Sequence, residues 1–309
     1  MTTARSFTDL VRRGSLDLPM PADGEGAERL LRLCDIARNQ PVGVARLAEA
    51  HTDAVAILTE AGRTAPPDVA YGVWASEQPG EAVVLDRATW TVSGRKPFGT
   101  GVGIVDRALI TVVDSDGTRL LLDVDVTPSS TVVGETVGWA TSALSDTATA
   151  AIVLDEHPVG PDDVVGGPDW YLTRPGFWHG ACGPAACWAG SAIALADTAS
   201  RLVDDDPHRR AQHGALVAAR WSLLALLVGA GSQMDDAHDD AAEAEFVARS
   251  LRQVVERTCT DVLDRFGRAF GPRPFTSDVD TAQRAHDLHL YLRQHHGERE
   301  LGSLSTLVS

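Results

Sequence analysis

The pattern of apolar and polar positions changes character twice along the chain. Up to about Pro67, apolar residues recur at helical spacing: Leu30, Leu31 and Leu33 in one segment, then Val44, Leu47, Ala48, Ala54, Val55 and Leu58 in the next. A glycine and paired prolines in "GRTAPPD" (62–68) interrupt this pattern. From about Val69 to Gly167 the apolar runs become short and β-branched, with turn signals between them: "EAVVLD", "TWTVSGRK", "STVVGETV" and "ATAAIVLDEHPV". "VVDSDGTRLLLDVDV" predicts a hairpin about Asp-Gly, a pair that tolerates the positive φ of a tight turn. Short strands at this spacing predict a small antiparallel sheet or barrel.

From about Pro168 onward the period is helical again. The segment 177–202 is rich in Ala, Gly and Ser, which permit close helix approach. The segment 207–232 is apolar almost all round, which predicts a central bundle helix. In 242–270, Phe246, Val247, Leu251, Val254, Val255, Val262, Leu263 and Phe266 share one face. A last polar helix is expected over 278–302. The predicted fold is α+β: N-terminal helices (1–68), a middle antiparallel β-domain (69–167) and a C-terminal four-helix bundle (168–309).

Composition narrows the function classes. At 309 residues the chain can bury a sizeable core. Its net charge of −16 opposes phosphate backbones and anionic lipid surfaces, so neither nucleic acid nor membrane is expected as a partner. An anionic ligand would need local arginines. Cys34, Cys182, Cys187 and Cys259 form no CxxC pair and read as buried, reduced thiols of a cytoplasmic protein. The N-terminus lacks the apolar core of a signal peptide. The most apolar run (221–231) is too short to span a bilayer and reads as buried helix.

Several residues carry candidate chemistry. Gly99, Gly101 and Gly103 with Thr100 read either as a β-turn or as a loop whose amides approach a flat or anionic ligand. The spacing is not a Rossmann fingerprint. Arg209 and Arg210, and Arg265, Arg268 and Arg273, read either as solvated helix-end clusters or as phosphate contacts. His51 reads as a satisfied structural histidine. The acidic tract 235–243 reads as a solvated loop rather than a metal shell. In "YLRQHHGERE", His295 and His296 would point about 100° apart on a helix, so no metal is assigned to them. One of them is a candidate proton carrier, the alternative being a structural role.

The order of these segments resembles the acyl-CoA dehydrogenase family. "YGVWASEQPG" is similar to the family's first flavin loop, Tyr-x-x-Thr-Glu-Pro-Gly-Ala-Gly-Ser, with Trp74 and Ser76 in it. "VSGRKPFGTGVGIVDRALI" is similar to the second, where Phe98 and Thr100 match an aromatic-x-Thr/Ser motif against the flavin ring. "SALSDTATAAIVLDEHPVGPDDVVG" is similar to the exit strand. "RAQHG" fits Arg-x-x-Phe-Gly, whose arginine, here Arg210, meets the FAD pyrophosphate. "DRFGRAFG" fits the Gln-x-x-Gly-Gly-x-Gly loop that reaches a neighbouring subunit's FAD, with Arg268 in place of a glycine.

The resemblance implies a homodimer or homotetramer that binds FAD, oxidises an acyl thioester or related small molecule, and passes electrons to a partner. The chain also departs from the family. Its N-terminal region is short, its first flavin loop lacks the Gly-Ser end, and His213 and Asp264 replace the usual Phe and Gln. Above all, the catalytic glutamate of Tyr-Glu-Gly-Thr is missing. Counting from Asp287, after Arg284, puts His295 there; aligning the glycine puts His296 there; Glu298 and Glu300 follow a turn later. Three functions remain open: a dehydrogenase using Glu298 or a histidine, a flavin monooxygenase or oxidase, and an inactive partner subunit.

Overall fold

The computed structural model describes residues 2–78, 80–135 and 138–307. Pro79 of the first flavin loop, and the end of the "STVVGETV" run, lie outside the described residues. Three helices come first: α1 (Thr3–Arg12), α2 (Gly26–Asn39) and α3 (Val42–Glu60). Eight strands follow: β1 (Tyr71–Trp74), β2 (Val83–Asp86), β3 (Thr91–Gly99), β4 (Arg107–Asp114), β5 (Arg119–Asp125), β6 (Val132–Glu135), β7 (Ala150–Pro158) and β8 (Val164–Val165). Helices close the chain: α4 (Trp170–Thr173), α5 (Gly176–Ala181), α6 (Gly183–Leu202), α7 (Pro207–Asp236), α8 (Ala241–Phe270), α9 (Arg273–Ser277), α10 (Val279–Leu292) and α11 (Glu298–Leu307).

The chain forms two compact units, and the division runs through α3. The first holds residues 1–17 and 50–177, including the sheet, with strand order β6-β7-β3-β2-β4-β5-β8. The Asp-Gly hairpin is present: β4 and β5 pair antiparallel, and Gly117 takes φ 80° in the turn. The sheet is mixed rather than purely antiparallel, because β1 and β2 both lie parallel to β4 at successive registers. Alternation places Leu109 and Leu121 against Ile57, Leu58 and Tyr71 in a dry core. His51 is also buried, and its Nδ1 accepts the Tyr71 amide at 3.2 Å.

The second unit holds residues 18–49 and 178–309. Small residues set its helix spacing. A Cβ on Gly190 of α6 would lie 2.0 Å from the Cys34 carbonyl oxygen of α2. One on Gly231 of α7 would lie 2.3 Å from the Ala27 amide. All four cysteines are buried, as expected, and burial pushes the Cys34 and Cys182 thiols up to about 12.

Four helical expectations need correction. The segment 278–302 is not one helix: α10 ends at Leu292 and α11 begins at Glu298, because Gly297 takes φ 44° between them. The acidic tract is not merely solvated. Asp235 accepts the Gly24 and Gly26 amides, and Asp240 caps α8 through the Ala242 and Glu243 amides. Val254 is exposed rather than on the buried face of α8. Nor is α7 a buried central helix: only 28% of its most apolar stretch is buried. Length and composition alone made this helix look internal.

Burial pulls the His51 pKa down to about 4, against 6.5 for a free imidazole. Between those values the unfolded chain binds a proton that the folded chain refuses. Stability is therefore full above pH 6.5, declines as pH falls towards 4, and levels off below. The loss is at most about 3 kcal/mol by linkage. His51→Gln should remove that slope from urea-unfolding midpoints measured across pH 4–7, while costing modest stability at neutrality.

Candidate active site

In the first unit the sequence brings together the end of β1, the end of β3 and the loop before β7. Trp74 is buried, and its Nε1 donates to the Thr100 carbonyl at 2.9 Å. Gly99 packs closely there: a Cβ would lie 3.2 Å from the Trp74 ring. The Gly101 amide donates to Thr147 O at 2.9 Å and the Val102 amide to Ala148 O at 3.2 Å. Thr149 Oγ1 donates to Thr100 Oγ1 at 3.3 Å. Three non-glycine residues around this loop hold positive φ: Phe98 at 56°, Leu144 at 52° and Ala148 at 48°. Such strain persists only where surroundings enforce it, and it gathers at functional sites. It leaves the Phe98 ring 48% exposed.

Beside these residues lies a cavity of about 380 Å³ lined by Val102, Trp139, Leu144, Thr149 and Ala150, among others. Apolar walls, threonine hydroxyls and an exposed aromatic suit a flat heteroaromatic ring. Thus Trp74 and Thr100 are in contact, Phe98 is exposed two residues before Thr100, and Ser76 is exposed two residues past the end of β1.

Sequence reasoning missed Lys96. This lysine is buried, and its Nζ donates to Thr111 Oγ1 at 2.6 Å and to Thr111 O at 3.0 Å. Thr111 Oγ1 in turn donates to Glu77 Oε1 at 3.4 Å. Burial draws the Lys96 pKa down to about 8. The motif resemblance covered its neighbours; a lone lysine inside an alternating strand was the available signal.

In the second unit, the two histidines part company. They sit in the turn after α10, where the His295 amide donates to Leu292 O. His295 is 7% exposed, whereas His296 and Glu298 face solvent. His295 Nε2 meets Gln253 Oε1 at 2.8 Å. With that oxygen accepting, the proton sits on Nε2 and Nδ1 presents a bare lone pair. Burial, then the Arg252 charge, holds the imidazole below its ordinary pKa and therefore neutral.

Around it are residues that the sequence did not single out. The Trp188 ring stands edge-on to Tyr291, with centroids 5.8 Å apart, and to His295 at 6.3 Å. The Arg252 guanidinium lies 4.9 Å over Trp188. Among the described residues, Trp188 Nε1 and His295 Nδ1 are buried without a hydrogen-bond partner, and the Tyr291 hydroxyl meets the Cys187 thiol alone. Each such group costs about 1–3 kcal/mol in a packed interior. Leu288, Tyr291, Leu292 and His295 follow i, i+3, i+4, i+7 spacing and are all buried. That stripe was the sequence signal for His295 inward and His296 outward.

The nearby carboxylates are engaged. Glu49 holds Arg46 at 2.6 Å, and Glu300 pairs with Arg249. Arg210 is exposed, 3.8 Å from Asp205, and Arg268 pairs with Asp264 at 2.8 Å on the surface. Neither arginine joins the His295 cluster.

No protein-family model matches the chain, and no curated protein matches its sequence. Solved structures do match its fold. The nitrososynthase of Micromonospora carbonacea var. africana aligns over 99% of this chain and 89% of its own, with 18% identity and a TM-score of 0.81. KijD3 in complex with dTDP aligns over 98% and 88%, with 16% identity and a TM-score of 0.81. The dibenzothiophene monooxygenase TdsC of Paenibacillus sp. A11-2 aligns over 98% and 94%, with 14% identity and a TM-score of 0.78. The chain shares the α+β fold of these solved structures over nearly its whole length. At these identities the likeness is one of fold.

Replacing Tyr291 by Phe tests the buried cluster. Removing a hydroxyl with so weak a partner should leave stability unchanged or raise it by about 1 kcal/mol, read from the urea midpoint. A loss of more than that would mean the hydroxyl is well bonded.

Proposed function

We propose that this chain is a flavin-dependent oxidoreductase that transfers oxygen to a small molecule, rather than a thioester dehydrogenase. The observation that carries this reading is the neutral, buried His295 with its bare Nδ1, in a cluster whose carboxylates are each held by an arginine. Dehydrogenation of a thioester calls for a carboxylate free to take the α-proton. Glu298, the displaced candidate, faces solvent in the first turn of α11. Support also comes from neighbours of the same fold: TdsC, a monooxygenase, is known with FMN and indole, and KijD3 with FMN and a dTDP-amino-sugar.

A reduced flavin supplies two electrons and two protons to dioxygen; one oxygen atom goes to substrate and the other leaves as water. On this reading the exposed Phe98 would meet the ring, Thr100 would offer its hydroxyl and Ser76 would meet a polar edge, while the buried Trp74 holds the Thr100 loop in place. Within the second unit, Arg210 and Arg268 are exposed cations suited to phosphate. Within the second unit His295 is the candidate proton carrier, and Gln253 fixes its tautomer. His296 has no part in this. The substrate class is a small molecule with an electron-rich nitrogen, sulfur or ring carbon. Either FMN or FAD would serve this chemistry, and a homo-oligomer is part of the proposal.

The test begins with flavin uptake. FMN and FAD are each added to the purified protein and quenching of flavin fluorescence is followed; no uptake of either sinks the proposal. With photoreduced flavin, oxygen consumption should yield a product heavier by one oxygen atom from an amine or thioether panel. Bleaching by acyl-CoA under anaerobic conditions would instead mark a dehydrogenase. His295→Asn should keep flavin binding and lower turnover by roughly 10²–10⁴-fold. An equal loss in His296→Ala alone would reverse the assignment.

A further inference from the structure

A cavity of about 560 Å³ in the second unit has no part in the flavin reading. Its walls are the C-terminal end of α2, the last turns of α6 and the first turns of α10. Each helix contributes one guanidinium to it: Arg38 from α2, Arg201 from α6 and Arg284 from α10. In a chain of net charge −16, an anionic ligand depends on such a gathering of arginines.

The three cations differ in what holds them. Arg38 shares the Asp197 carboxylate with Arg220, at 2.6 and 2.9 Å. Arg284 caps the end of α2: its Nη1 donates to Ala37 O at 2.8 Å and its Nη2 to Gln40 O at 3.0 Å. Those bonds fix the guanidinium in place without neutralising it. Burial lowers the Arg284 pKa, and the charges of Asp280 and Asp287 work the other way. Arg201 Nη2 donates to Thr198 Oγ1 at 3.0 Å. Among the described residues, neither Arg201 nor Arg284 forms an ion pair.

The acceptors are unequal too. Asp278 is occupied as the cap of α10, accepting the Asp280 and Thr281 amides and the Thr281 hydroxyl. Asp280 is exposed, and its carboxylate accepts no hydrogen bond among the described residues. Asn39 donates through Nδ2 to Asp35 O and Oδ1, which leaves its own Oδ1 as an acceptor. Guanidinium donors beside unused acceptors match a ligand that carries both an anionic group and hydroxyls. One guanidinium fork satisfies a planar carboxylate, whereas a tetrahedral phosphate takes donors from several directions. We propose that this cavity binds the phosphate monoester of a small polyol, with Arg201 and Arg284 on the phosphate and Asp280 and Asn39 accepting from the hydroxyls. Arg38, held by Asp197, adds a further N–H edge. The volume lies within the usual range for small-molecule sites.

Isothermal titration calorimetry on the full chain tests the cavity, with glucose 6-phosphate, inorganic phosphate and glucose as probes. Glucose 6-phosphate should bind at one site per chain and more tightly than inorganic phosphate, and glucose should give no saturable heat. Arg201→Gln should weaken glucose 6-phosphate roughly tenfold or more, the weight of a hydrogen bond to a charged group. Arg201 is exposed near the end of α6, so the urea midpoint of this variant should hold. Asp280→Ala removes a hydroxyl acceptor and a negative charge together, so it should narrow the gap between glucose 6-phosphate and inorganic phosphate. Saturating FMN should leave glucose 6-phosphate binding unchanged. Absence of saturable binding, or binding unaltered in Arg201→Gln, overturns the proposal. So does equal affinity for the two phosphates in the wild type, which would reduce the cavity to an anion site. Competition by FMN also overturns it, by assigning the phosphate to the flavin's own.

Discussion

Backbone contact between α2 and its neighbours is the constraint on which the helical unit depends. Gly26, Gly190 and Gly231 leave no room for a Cβ, so α6 and α7 lie against α2 main chain to main chain. Dispersion in such a contact is summed over many atom pairs, none of them strong. Asp197 ties the same three helices together, accepting Arg38 Nε at 2.6 Å and Arg220 Nη1 at 2.9 Å. Those ion pairs are partly solvated and contribute about 1 kcal/mol or less each. The glycines set the geometry, and the charges select it.

That geometry reaches the chemistry through α6. With α6 pinned at Gly190, Trp188 is fixed half a turn earlier and fully buried. Its ring then receives the Arg252 guanidinium on one face and the edges of Tyr291 and His295 nearby. Arg252 does two things in this position. It satisfies the Ala181 carbonyl at 3.0 Å, and its charge helps keep His295 neutral. A stacked cation thus lowers the pKa of an imidazole beside it.

Much of the fold was legible in the sequence, because periodicity reports burial directly. The Asp-Gly hairpin, the early helices and the long α8 followed from spacing and turn chemistry. What failed was reading burial from composition. The apolar α7 looked internal, yet composition does not distinguish a core helix from one with a bare face. The candidate site was legible only in part. Trp74, Phe98 and Thr100 came from motif resemblance, and Trp74 hydrogen-bonds the Thr100 carbonyl. Trp188 and Lys96 belong to no motif; only packing reveals an indole nitrogen without a partner or an ammonium inside a sheet. The His-His pair was judged as two points on one helix, and a glycine at positive φ made it a turn instead.

The four thiols also have an uneven distribution. Cys34, Cys182, Cys187 and Cys259 all belong to the helical unit, and the sheet-bearing unit has none. Buried and held protonated, they are shielded from alkylation while that unit stays closed. The chain therefore carries a built-in reporter for one of its halves: label uptake counts the openings of the helices and is blind to those of the sheet. Native-state cysteine labelling can then measure the helical unit's opening free energy without any engineered probe.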